Sequence, residues 1–203
     1  MRLLSKGHAV VTKAASTDET RYVLNGVYLE ETEKGLKATA TDGCILATVE
    51  DIDKAMGAED FPVNVMPKDA ENGAVAAIVP TAAFNDIVKA VPKRVTLPVL
   101  ERVAVVMGKA TSTMGVTDLQ NPTIKVAQNI DGVYPKYEQI IPRDKPALAI
   151  SFDPEYMLKV CQIAKSFGLR GMKMEFTTPE SPVKVSGKRD GQSLTIVLMP
   201  LRG

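Results

Sequence analysis

The sequence predicts an α+β fold of about three β-α-β-β-β repeats, with helices grouped on one face of antiparallel sheets. Three observations carry this. The order strand, helix, strand, strand, strand occurs twice, over residues 74–130 and 147–199, and a variant lacking most of its first strand covers residues 1–49. Apolar residues make up 45% of the 203, enough for real cores, while aromatics are 5% and Trp is absent, so Val, Ile, Leu, Ala and Met must build those cores. The chain closes on an apolar run, Leu194 to Met199, too short for an independent helix and read as a strand covered on both faces. Pro200 stops it, having no amide to give a ladder.

In chain order, residues 4–15 read as an amphipathic helix with Leu4, Val11, Ala14 and Ala15 on one face and Lys6 and Lys13 off it, weakened by Gly7. Residues 16–19 form a turn. Residues 21–30 are rich in β formers and read as a strand; the Asn25-Gly26 inside it signals a hairpin turn, a bulge or a close backbone approach. Residues 33–35 turn the chain, and 36–49 return as a strand interrupted at 41–43. Residues 50–73 are acidic, carry Pro62, Pro67, Gly57 and Gly73, and connect rather than pack. A strand at 74–79 precedes a helix that Thr81 caps and that runs to about residue 91, with Phe84, Ile87, Val88 and Val91 facing inward. Lys89, Lys93 and Arg94 stand at its C-terminal end, where cations suit the helix dipole.

Strands follow at 102–107, 110–116 and 123–130, then a Pro-bounded turn over 131–142. The last repeat has a strand at 147–152 and a helix over 154–167, capped by Asp153, opened by Pro154 and ended by Gly168. Met157, Val160, Cys161 and Ala164 make its apolar face; Lys159, Gln162, Lys165 and Ser166 make its polar one. Strands at 172–177, 182–188 and 194–199 complete the chain.

Composition narrows the function classes. The 25 basic and 24 acidic residues leave a net charge of +1, so there is no whole-molecule field of the kind a strongly basic nucleic-acid binder shows, though one basic face stays open. Cys44 and Cys161 read as reduced core thiols of a cytosolic protein. No run approaches the ~20 apolar residues of a membrane span, and Met1-Arg2-Leu3-Leu4 leads into polar sequence rather than a signal h-region. A cytoplasmic protein with no membrane partner is expected. The single histidine, His8, reads as an ordinary helix residue and removes most metal and nucleophile constellations. There is no phosphate loop, and the Asp51/Asp53 start of a calcium-like loop fails at Met56. Asp42, Asp118 and Asp131 could form a two-metal nuclease cluster, but each sits where Asp serves a local turn. The expectation is a binding protein with no enzymatic activity, metal or cofactor.

Four stretches carry a family resemblance. Residues 21–30, Arg-Tyr-Val-Leu-Asn-Gly-Val-Tyr-Leu-Glu, resemble R-x-x-L-N-G-x-x-x-E. Residues 40–47, Ala-Thr-Asp-Gly-Cys-Ile-Leu-Ala, resemble A-T-D-G-H-R-L-A. Residues 130–137, Ile-Asp-Gly-Val-Tyr-Pro-Lys-Tyr, resemble [IV]-D-G-x-[FY]-P-D-Y. Residues 197–202, Val-Leu-Met-Pro-Leu-Arg, resemble a closing V-V-M-P-M-R-L. In this order they resemble the bacterial sliding clamp, the beta subunit of DNA polymerase III, in a shortened member. The resemblance implies a DNA-clamp-like fold, with residues 1–142 similar to the family's middle domain and 143–203 to the C-terminal half of its third domain. Two protomers hold half the repeats of the family's ring, so a closed ring would need about four; a homo-oligomer is expected.

The resemblance also implies a processivity factor of DNA replication. It would bind double-stranded DNA without sequence preference and dock short apolar peptides of DNA polymerase, clamp loader or repair proteins. The alternative is a non-encircling, clamp-derived peptide-binding module or competitor. Carried over position by position, the peptide pocket would comprise Leu24, Thr41, Gly43, Leu46, Pro135, Ile140, Val197, Leu198, Met199, Pro200, Leu201 and Arg202, between the two domains. Cys44, Ile45 and Gln139 replace polar rim residues of the family pattern. The cations facing DNA would be Lys6, Lys13, Lys89, Lys93, Arg94, Lys159, Lys165 and Arg170.

Overall fold

The computed structural model describes residues 1–53, 59, 61–62, 65–67, 69–92 and 97–201. The chain divides into two units, Met1–Ile140 and Ile141–Gly203. Antiparallel sheets with a few helices make the α+β class plain.

Unit 1 holds two four-stranded sheets. The first half supplies β1 (Arg2–Leu4), a 3₁₀ helix (His8–Ala14), β2 (Gly26–Glu31), β3 (Leu36–Thr41) and β4 (Leu46–Glu50). The second supplies β5 (Ala76–Pro80), α1 (Thr81–Lys89), β6 (Val103–Met107), β7 (Thr111–Thr117) and β8 (Pro122–Gln128). The sheets run β4-β3-β2-β5 and β1-β6-β7-β8, so each half lends its first strand to the other's sheet. The registers are antiparallel throughout, with Leu4 opposite Val103 and Val27 opposite Val79. Alternation drives this: Val27 and Leu29 of β2 and Leu36, Ala38 and Ala40 of β3 turn inward, while both helical segments close over them through Val11, Ala14, Phe84 and Ile87.

Several expectations change. Residues 4–15 are not one α-helix: Leu3 and Leu4 join a sheet, and only a short 3₁₀ helix follows. Gly7 and the β-branched Val10, Val11 and Thr12 disfavour a longer helix. His8 opens the 3₁₀ helix, as a helix residue, and its side chain is buried. The Ser5 amide donates to its Nδ1 at 3.2 Å, which leaves Nε2 to donate to the Leu36 carbonyl at 3.3 Å. The second strand begins at Gly26, not Arg21, because Asp18 accepts from the Thr20 amide at 2.9 Å and starts a 3₁₀ helix, Glu19–Asn25. Gly26 reflects close approach: a Cβ there would lie 2.5 Å from Ile78 Cγ2. Thr81 does not cap α1. Pro80 holds the cap position, and the Thr81 hydroxyl donates to the Asn25 carbonyl at 2.7 Å.

Unit 2 holds α2 (Pro154–Ser166), β9 (Lys173–Glu175), β10 (Val183–Arg189) and β11 (Gln192–Leu198), in a sheet ordered β11-β10-β9. Asp153 caps α2 by accepting the Glu155 amide at 2.8 Å. Val160, Val183, Val185 and Leu198 form the small core, with Met157, Met174 and Ile196 against it. Residues 147–152 form no strand, although Leu201 donates its amide to the Ser151 carbonyl at 2.8 Å. A strand needs a neighbour, and this sheet stops at three.

The last strand is not covered on both faces. Leu194, Ile196 and Leu198 point inward and Ser193, Thr195 and Val197 outward, as expected of an edge strand. Both cysteines are free and exposed rather than in a core. Cys44 falls in the 42–45 turn, and Cys161 stands on α2 beside the strip set by Met157, Val160 and Ala164. Among the described residues no helix is long and apolar enough to cross a membrane.

Candidate functional site

Three of the four motif stretches meet in unit 1. Tyr134 stacks on Tyr28 with ring centroids 4.8 Å apart and planes 7° from parallel, and meets Tyr137 edge-on at 6.3 Å. Ile78, Tyr134 and Tyr137 are the buried centre, and Leu24, Leu46, Val23 and Ile130 pack around it. The Tyr134 hydroxyl is buried near the Thr41 backbone without a well-formed hydrogen bond, and its desolvation pushes its pKa up to about 12. The Tyr137 hydroxyl donates to Glu30, and the Lys37 ammonium lies 4.9 Å from the centre of the Tyr137 ring.

The 41–45 turn is held by its own side chains. Thr41 Oγ1 donates to the Ile45 carbonyl at 2.6 Å and accepts the Gly43 amide at 3.0 Å. Asp42 Oδ1 accepts the Cys44 and Ile45 amides, both at 2.8 Å. These bonds, Ile45's first, hold the Asp42 carboxyl below the usual carboxylate range. Gly43 has φ of +90°, which a side chain would strain, and a Cβ would sit 2.9 Å from Arg21 Nη1. The turn therefore delivers Leu46 to the aromatic cluster and leaves Ile45 exposed.

Of the pocket residues expected in unit 1, Leu24 and Leu46 share this cluster, Thr41 adjoins it, and Gly43, Pro135 and Ile140 are exposed. In unit 2, Val197, Met199 and Leu201 are 63%, 60% and 54% exposed, whereas Leu198 belongs to the core. Pro200 and Leu201 line a cleft of about 630 Å³ with Ala149, Ile150, Pro179 and Glu180. Arg202 lies outside the described residues. Unit 1 has a second cleft, also about 630 Å³, walled by Tyr28, Ile78, Asn129 and Tyr134. Sequence reasoning missed it, because its walls come from strands distant in the chain: Tyr28 and Tyr134 lie in two motif stretches, but Ile78 and Asn129 carry no motif signal.

Lys6, Lys13, Lys89, Lys159, Lys165 and Arg170 are all exposed, and among the described residues none forms an ion pair. Lys93 and Arg94 lie outside the described residues. Some other cations are paired, such as Lys125 with Asp86 at 3.1 Å and Lys184 with Glu175 at 3.3 Å.

Two of the three carboxylates weighed as a metal cluster are otherwise occupied, and Asp131 is exposed. Asp42 holds its turn, and Asp118 accepts the Asn121 and Gln120 amides at 2.7 and 2.9 Å. Among the described residues no three His, Cys, Asp or Glu side chains gather as a metal site.

No family model matches the chain. The beta sliding clamp of Synechocystis sp. is 30% identical over 147 residues, covering 69% of this chain and 33% of that protein. The beta sliding clamp of Caulobacter vibrioides is 28% identical over 232 residues, covering 93% of this chain and 61% of that protein. The chain thus spans about one third to three fifths of the curated relatives it matches. The DNA polymerase sliding clamp of Bacillus subtilis superposes with a TM-score of 0.69 at 17% identity, over 98% of this chain and 48% of that one. The DNA polymerase III beta subunit of Pseudomonas aeruginosa gives 0.69 at 18%, over 98% and 51%. The motif stretches, the fold and these relatives agree, and the chain belongs to the beta sliding clamp family of DNA polymerase III.

Proposed function

We propose that the chain is a non-enzymatic accessory of DNA replication, a clamp-type processivity factor that holds duplex DNA without sequence preference and docks short apolar peptides of DNA polymerase, clamp loader or repair proteins. The observation that carries this is a set of six cations, Lys6, Lys13, Lys89, Lys159, Lys165 and Arg170, which are exposed and form no ion pair among the described residues. Mobile ammonium groups free of acidic partners suit phosphates, which they neutralise without reading bases. For the peptide, each unit offers an apolar surface: Leu24 and Leu46 beside the tyrosine cluster, and Met199, Pro200 and Leu201 at the tail. A thioether and a rigid proline give adaptable contact to several sequences.

A second reading is a non-encircling peptide-binding module that competes for clamp partners. The net charge of +1 favours it, since one copy has little field with which to hold DNA.

Met199→Ala combined with Leu201→Ala tests the peptide reading. Both side chains are more than half exposed, so the fold should persist while calorimetric titration loses a short apolar peptide taken from a clamp-binding polymerase segment. Unchanged affinity removes the tail from the site.

A further inference from the structure

In unit 1 neither half is self-sufficient. β1 leads into the helix His8–Ala14 yet pairs with β6 of the other half; β5 leads into α1 yet pairs with β2. Each strand that precedes a helix is thus a guest beside the first strand of the other half's sheet. The exchange closes one core, in which Leu4, Val27, Phe84 and Met114 are all fully buried.

Unit 2 has the parts of one such half. Its sheet ends at β9, the position beside which the guest lies in unit 1, and residues 147–152, which precede α2, have no ladder. Its surface shows the lack. α1 buries Phe84 and Ile87, whereas α2 leaves Tyr156, Leu158 and Ile163 exposed, and Phe176 beyond β9 is exposed as well.

We propose that unit 2 is completed by unit 2 of a second copy of this chain, residues 147–152 of each adding antiparallel to β9 of the other about a two-fold axis. The occupant follows from self-complementarity. One unit carries both the open edge and the strand without a partner, so two identical copies satisfy both together, which is what an isologous interface requires. The segment Ala147-Leu148-Ala149-Ile150-Ser151-Phe152 has the composition of a half-buried strand. The two α2 helices then cover each other's flanks, as the helical segments of unit 1 do. The inference does not rest on the DNA and peptide readings, although Ala149 and Ile150 also line the cleft beside Pro200 and Leu201.

Sedimentation of the full chain over a dilution series should give twice the chain mass. Ala149 is exposed and outside any strand, so Ala149→Pro should leave the circular dichroism spectrum intact while raising the dimer dissociation constant roughly tenfold or more, because a proline interrupts a ladder. Chains carrying Leu148→Cys and Glu175→Cys, each also Cys44→Ser and Cys161→Ser, should couple through a disulfide when mixed under mild oxidation. A chain monomeric at every concentration overturns the proposal. So does a dimer indifferent to Ala149→Pro whose paired cysteines fail to couple, which places the interface elsewhere.

Discussion

At Glu71 one carboxylate gathers the amides of Lys109, Ala110 and Thr111, at 2.8 to 3.1 Å, together with the Thr111 hydroxyl at 3.0 Å. It ties the connecting segment to the β6–β7 turn, and these bonds, Ala110's first, lower its pKa from 4.5. A carboxyl with a depressed folded pKa stabilises the fold above its unfolded value, and that contribution fades as pH falls through the folded one. The urea midpoint of the native chain should therefore drop below about pH 4.5, and Glu71→Gln should unfold earlier at neutral pH with a shallower acid dependence. Equal acid slopes would deny Glu71 this part. Nothing local marks Glu71 in the sequence. It is one acid among many in residues 50–73, and Thr111 lies 40 residues on. Thr41, Asp42 and Gly43 were legible for the opposite reason: their partners are within four residues.

The helices make the same contrast between local and distant causes. α2 could be bounded from the sequence because Asp153, Pro154 and Gly168 act within a turn of its ends. Residues 147–152 could not be judged, since a strand exists only beside another strand. The 4–15 segment misled for a related reason, as the pairing of Leu4 with Val103 outweighs any helical periodicity. α2 also carries a test of the DNA reading. Lys159, whose Nζ lies 4.8 Å from the centre of the Tyr156 ring, and Lys165 both project from exposed positions. If both touch phosphates, Lys159→Ala with Lys165→Ala should flatten the plot of log affinity against log salt by up to about 1.8, equally for unrelated duplexes. Anisotropy titrations at several salt concentrations read this, and an unaltered slope removes both lysines from the interface.

For the whole molecule, the difference between the units is one of closure. Residues 1–140 enclose a core between two sheets, whereas residues 141–203 hold a few buried side chains beneath one. Expressed alone, residues 1–140 should melt in one cooperative step at a temperature independent of concentration. Residues 141–203 alone should melt at a temperature that climbs with concentration, since a domain of about 60 residues is marginal without a partner. Differential scanning calorimetry at several concentrations separates the two behaviours. The repeat order was readable from the pattern of elements, because each repeat announces itself locally. The exchange of first strands was not, since no residue of β1 or β5 names its partner.

That exchange also sets a timetable for synthesis. Arg2 pairs with Val105 and Gly26 with Pro80. As the chain leaves the ribosome, β2, β3 and β4 can meet early, but β1 must wait until β6 emerges, with its apolar Leu3 and Leu4 unpaired meanwhile. Long-range closure of this kind slows folding, and waiting apolar edges invite aggregation. A nascent chain stalled short of residue 107 should therefore remain a client for chaperones, and release from that state should coincide with the emergence of the second half.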